Sequence, residues 1–402
     1  MKNKIRFTIF SFLAATILLT SAVSGPLWGF FGHRTINKMA VFTLPQKMLP
    51  LYKKNINYIS EHAVDPDMRR YATKFEAIRH YIDIDQWDTI PFKKLPRDLN
   101  EAMLKFGELY FTKGQDSLRI MITWDTDSTC TLAYRNIRKA VKKRDLVNYM
   151  RQELWPGYYM EEMSTEVSVA EYWLRTSLEV PGYNRLCLVD KFTEHGIVPY
   201  YLEMAVGKLT NAFKSKNMSD ILRNSADIGH YIGDAHVPLH TTKNYNGQMT
   251  DQVGIHAFWE SRIPELFANN TYDYFVGKAE YIEDFRTYFW DIITDSHAYL
   301  NDVLYIEKSL SKTFPSDQQY CFEERLGVNT RTQCQAYAKA YHEAMQGMVE
   351  ERMTSSIKAI GDVWYTCWVN AGSPDLSHLD NTEVVIEEIV RDPNLKTREH
   401  NN

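Results

Sequence analysis

Residues 229–261 read GHYIGDAHVPLHTTKNYNGQMTDQVGIHAFWES, and their spacing is that of a metal site. His230 and Asp234 are four apart on a predicted helix, so both side chains fall on one face, a turn apart. Pro238 breaks that helix and leaves His240 on the exit loop, and His256 with Glu260 repeats the four-residue step. One such pair is what a capped, salt-bridged helix face produces. Two pairs with a loop histidine between them make the nitrogen and oxygen donor set that zinc takes. His236 points away from this face and reads as a support to the ligand residues or as structural. Upstream, WGFFGH (28–33), Asp65 and Asp67 in AVDPD, and RHYIDID (79–85, with His80, Asp83 and Asp85) offer further donors.

Positioning these donors falls to helices. Amphipathic periodicity predicts helices from Ile36 to Leu44, Leu99 to Tyr110, Thr131 to Val147, Ser164 to Ser177, Val198 to Lys214 and Asp220 to His236. Ser219 is the expected cap of the last of these, and Lys113-Gly114-Gln115-Asp116 is an expected turn. Two longer helices are expected over Phe285–Phe314 and Gln333–Asn370. Alternation of the kind that makes strands is scarce. The expectation is therefore an all-α fold, one helical domain over residues 25–371, with 100–175 as an insertion and 372–402 as a polar tail.

The chain has 402 residues, 44% apolar and 24% charged, which excludes wholesale disorder and fibrous repeats. Formal charge is −5, and −8 once the three basic residues before position 28 are set aside, so no global basic field exists to grip phosphate. Lys2, Lys4 and Arg6, an apolar run from Phe7 to Val23, and Ala22-x-Ser24 have the order of a secretory signal peptide over 1–24. Export to the periplasm or outside the cell is thus expected, with no membrane span in the mature chain. Export permits disulfides, and Cys321 with Cys334 is the nearest of the pairs among five cysteines.

WGFFGH, HYID (80–83), GIVPY (196–200), HYIGDAHVPLH (230–240) and HAFWES (256–261) together resemble the superfamily that joins zinc-dependent phospholipase C to the single-strand nucleases of the S-one and P-one type. The resemblance covers roughly residues 28–265. It implies a helical domain with a buried trinuclear zinc site. One zinc would take Asp65, His80, His230 and Asp234. A second would take the Trp28 amino terminus and carbonyl, His33 and the bridging Asp234, and a third His240, His256 and Glu260. It further implies a hydrolase of phosphate diesters in which a zinc-bound hydroxide attacks phosphorus, with Asp65 and Asp234 catalytic and Asp65 able to accept the proton of the attacking water. Tyr81 would stack on a base or pack against a lipid head group. Single-stranded nucleic acid and phospholipid stand nearly even as substrates. The alternative is an exported zinc-binding protein without turnover. A metalloprotease reading fails because His342-Glu343 lacks a second histidine at 346.

Overall fold

Helix α1 (Phe30–Ala40) turns Phe30, His33, Ile36, Asn37 and Ala40 inward at helical spacing. It belongs to a computed structural model that describes residues 30–159, 166–168, 185–325, 328–379 and 389. The expected signal peptide, Trp28 and nearly all of the tail beyond residue 379 lie outside the described residues. Helix α2 (Val198–Ser215) opens with Pro199 in its first turn, where no amide partner is needed, and ends at Lys216 in the left-handed region. Helix α3 (Met218–His236) is capped by Asn217, whose side chain accepts the Asp220 N–H, so the cap sits two residues before the expected Ser219. The helix stops at Pro238, which starts a short turn holding His240.

The expected helix over Phe285–Phe314 is two, α4 (Phe285–Ala298) and α5 (Leu300–Thr313). The expected helix over Gln333–Asn370 is also two, α6 (Gln335–Ala344) and α7 (Met348–Asn370). Gln346 and Gly347 between α6 and α7 both have positive φ, which no continuing helix can hold. Helix α3 is the central rod, packed by α1, α2 and α7. Trp364 on α7 is fully buried and donates its indole N–H to the Ser225 carbonyl of α3 at 3.1 Å. Where α1 crosses α3 the packing is close. A Cβ at Gly229 would lie 2.0 Å from the Asn37 amide oxygen, and one at Gly233 would lie 2.7 Å from Ile36 and 3.0 Å from the His33 ring.

The fold is not purely helical. An antiparallel sheet has the order β4-β3-β2-β1-β6-β5. Its strands are β1 (Glu108–Lys113), β2 (Asp116–Trp124), β3 (Thr129–Tyr134), β4 (Ile137–Lys142), β5 (Glu166–Ser168) and β6 (Arg185–Val189). The turn at Lys113–Asp116 is present with Gly114 at φ +59°, but it joins two strands instead of two helices. The helix from Leu99 ends at Phe106, and the next begins only at Lys143. Most of the expected helix over Ser164–Ser177 lies outside the described residues, and its described part is β5. Cys130, Leu132 and Tyr134 of β3 face inward while their neighbours do not, the period-two burial of a one-sided sheet. A second hairpin, β7 (Tyr320–Arg325) with β8 (Val328–Gln333), carries the expected Cys321–Cys334 disulfide. Cys130 and Cys367 are free thiols, both buried. Among the described residues no helix is long and apolar enough to cross a membrane.

Candidate metal centre

Five histidines and three carboxylates from five chain segments meet in one buried cluster. Helix α3 supplies His230 and Asp234, whose nearest ring nitrogen and oxygen are 3.2 Å apart. Helix α1 brings His33 to 3.3 Å from the other oxygen of Asp234 and 3.5 Å from Glu260. Its ring stacks on His230 with centroids 3.9 Å apart, a closeness that depends on the absent Cβ at Gly233.

His80 reaches in from the turn after residue 77, with Nδ1 2.8 Å from Asp234 and 3.0 Å from Nε2 of His230. Its segment is held on both sides. Ile82 donates its N–H to the His240 carbonyl at 2.9 Å, and His240 returns Nδ1–H to the His80 carbonyl at 2.6 Å. GIVPY cradles the other side: Ile197 and Val198 donate to the carbonyls of Ile78 and Tyr81, and a Cβ at Gly196 would fall 2.1 Å from the Tyr81 carbonyl oxygen. Asp85 accepts from the Thr242 hydroxyl and the Lys243 amide, fixing the loop that carries His240.

The third group is His240, His256 and Glu260, with Glu260 3.4 Å from His240 and 2.7 Å from His256. Glu260 lies in a π-helical turn (Phe258–Arg262), an irregularity that recurs at functional sites. Arg262 of that turn is buried and forks onto Glu323 of β7 at 2.9 and 2.5 Å, so the disulfide-closed hairpin braces the segment.

The donor chemistry fits a metal such as zinc. His230, His240 and His256 donate Nδ1–H to the carbonyls of Ala63, His80 and Tyr245, which selects the tautomer whose Nε2 lone pair faces the carboxylates. A tetrahedral zinc with bonds of about 2.0–2.1 Å separates its donors by about 3.3 Å. The His–carboxylate and His80–His230 separations run from 2.7 to 3.5 Å, and all the donor atoms of each of the groups His80–His230–Asp234, His240–His256–Glu260 and His33–Asp234–Glu260 lie within 4.8 Å of one another.

Charge points the same way. Burial opposes ionisation of Asp234 and Glu260, yet the surrounding imidazoles hold both well below the usual carboxylate range. Burial likewise opposes a charge on His33, but Asp234 and Glu260 push it up to about 10. Burial lowers His80 and His256, keeping those rings neutral as ligands require. Protons on His33 thus answer buried negative charge that a cation would neutralise in their place.

Two expected positions need correction or confirmation. Asp65 does not join the cluster. Its carboxylate accepts from Nδ1 of His62 at 2.7 Å on the outer side of the short helix Asp65–Arg69. Asp67, two residues on and so about 200° around the helix, takes the inward place, 3.8 Å from His80 and 3.9 Å from His230, and meets Arg70 at 3.2 Å. Its signal in the sequence was the i, i+3 pairing with Arg70. His236 is structural as expected: it donates to the Ile232 carbonyl, and burial with Arg352 nearby pushes it down to about 3.

The cluster opens on a cleft lined by Arg70, Tyr81, Leu239, His240, Tyr245 and His256. Tyr81 therefore borders the site, its hydroxyl donating to the Glu194 carbonyl at 3.1 Å. Arg70 and Tyr245 are wall residues that sequence spacing did not single out. Compared with known proteins, the chain matches no family model, no curated protein and no solved structure.

Proposed function

We propose that the protein is an exported, zinc-dependent hydrolase of phosphate diesters, holding three zincs and acting on single-stranded nucleic acid or phospholipid. The observation that carries this reading is the convergence of Asp67, Asp234 and Glu260 with five histidines, three of them anchored through Nδ1, beside an arginine-walled cleft. His80, His230 and Asp234 would hold one zinc with Asp67, His240, His256 and Glu260 another, and His33 with Asp234 a third, to which the Trp28 amino terminus belongs by resemblance. When bound, zinc supplies Lewis acidity towards a phosphoryl oxygen and lowers the pKa of a coordinated water towards ~7.

The chain's own groups do the rest. Arg70, steadied by Asp67, offers a planar fork to a nonbridging phosphate oxygen at the cleft. Asp67 Oδ1 faces the His80–His230 group and takes the proton of the attacking water, the part expected of Asp65. Tyr81 and Tyr245 offer ring faces to whatever flanks the scissile phosphate. The test incubates purified, processed protein with single-stranded DNA, RNA and phosphatidylcholine in parallel, with and without chelator, alongside metal analysis. Chelator-sensitive cleavage of one of them supports the proposal. A fully folded protein with zinc content near zero removes it.

A further inference from the structure

The overall charge is −5, yet residues 135–144 read RNIRKAVKKR, six cations in ten residues with no acidic side chain. This run forms the β3–β4 turn, strand β4 and the start of the helix Lys143–Tyr159. Strand β4 is the edge of the sheet, and all of its residues but Val141 are exposed. Register sorts the side chains. Val141 opposes Cys130 on the buried face, whereas Arg138 opposes Ala133 and Lys142 opposes Thr129 on the other. Across β3 the same outer row continues into Met121 and Thr123 of β2, both exposed. Lys143 is paired with Glu101 and Arg144 with Asp145, but Arg135, Arg138 and Lys142 make no ion pair among the described residues.

The acids of β1 to β4 and their connections are engaged or set at strand ends and turns. Glu108 is taken by Arg119 and Tyr110, Asp125 by Thr131, Asp116 is the first residue of β2 at the hairpin turn, and Asp127 sits in the β2–β3 connection. A single lysine suffices to keep an edge strand from pairing with a stranger. Three unpaired cations beside a row of threonine hydroxyls go beyond that need. Along a strand Arg138 and Lys142 are about 13–14 Å apart, a span that meets several phosphates of an extended polyanion and not the head group of one small ester. Beyond Met121 and Ile137 the surface offers little to insert into a bilayer.

We infer that the β4 edge and the outer face of the β2–β3–β4 sheet bind single-stranded nucleic acid. The inference rests on the proposed hydrolase activity and selects nucleic acid between its two substrate classes.

The test compares zinc-loaded wild-type protein with Arg138→Glu/Lys142→Glu, and with the milder Arg138→Gln/Lys142→Gln. Binding of a phosphorothioate single-stranded 20-mer is followed by fluorescence anisotropy across salt, and turnover is measured on an ordinary oligonucleotide and on bis(4-nitrophenyl) phosphate. The charge reversal should raise the oligonucleotide Kd and KM about tenfold or more and flatten the log–log salt slope by about 1.4 for two lost contacts. Melting temperature and bis(4-nitrophenyl) phosphate kinetics should not change. Unchanged oligonucleotide affinity in the charge-reversed protein overturns the inference. Absent turnover of bis(4-nitrophenyl) phosphate by wild type would count against the hydrolase reading alone, because the anisotropy arm still reports on the sheet.

Discussion

Gly233→Ala probes the helix crossing that presses His33 into the cluster. The added methyl would lie 2.7 Å from Cδ1 of Ile36, 3.0 Å from Nδ1 of His33 and 3.2 Å from its Cε1, where ordinary contact begins at 3.4 Å. Relief therefore needs a shift of about 0.4–0.7 Å, and Ile36 can yield by rotating whereas the His33 ring is wedged against His230. Metal sites tolerate about 0.2 Å in ligand distance, so the His33–Asp234–Glu260 group should bind zinc about 10–100-fold more weakly. Global stability falls by about 0–2 kcal/mol, because an overpacking cost of about 1–3 kcal/mol is only partly offset by about 1 kcal/mol of helix propensity gained over glycine. Zinc content after dialysis against a graded chelator series, with circular dichroism alongside, checks this. The expected result is two zincs retained where wild type retains three, in a protein of unchanged helicity. Wild-type zinc retention throughout the series would refute the argument that this crossing sets the His33 position.

Other perturbations reach different parts of the molecule. Asp234→Asn, which removes a charge shared by His33, His80 and His230, should lose zinc and abolish turnover while the chain stays folded. Stripping zinc should lower the melting temperature by several degrees, since a ligand at 100 times its Kd contributes about 2.7 kcal/mol per site, and calorimetry with added zinc should restore it. Arg262→Ala should weaken zinc at the Glu260 group more than at the others, read by chelator titration, because it unties the π turn from β7. His342 has a half-buried ring lying flat on Phe267, and burial lowers its pKa. Below about pH 6.5 the unfolded chain takes up a proton that the folded one refuses, so stability falls as pH drops through that range, and His342→Gln should flatten that limb of a urea-denaturation series.

The donors on α3 were legible because helical spacing is local: His230 and Asp234 declare a shared face, as do His256 and Glu260. The choice between Asp65 and Asp67 was not, since it turns on where a five-residue helix sits against His80 and His230, far away in the chain. The sheet was missed for a different reason. Leu118, Ile120, Ile122 and Trp124 alternate as a strand should, but their outer partners include Met121 and Thr123, which blur the contrast with a helical pattern. Residues 131–147 hold enough apolar side chains for a helix, and only pairing with β2 makes strands of their first half. Gly347 carried a legible stop signal within the expected long helix, whereas the break at Tyr299 between α4 and α5 has no glycine or proline to announce it.

The wide separation of the donors has a bearing on when the site can form. His80 and His230, whose ring nitrogens touch, are 150 residues apart, and Asp234 serves donors as early as His33. A nascent or extended chain therefore brings no cation cage together until the last donor-bearing turn, at Glu260, has been synthesised and folded into place.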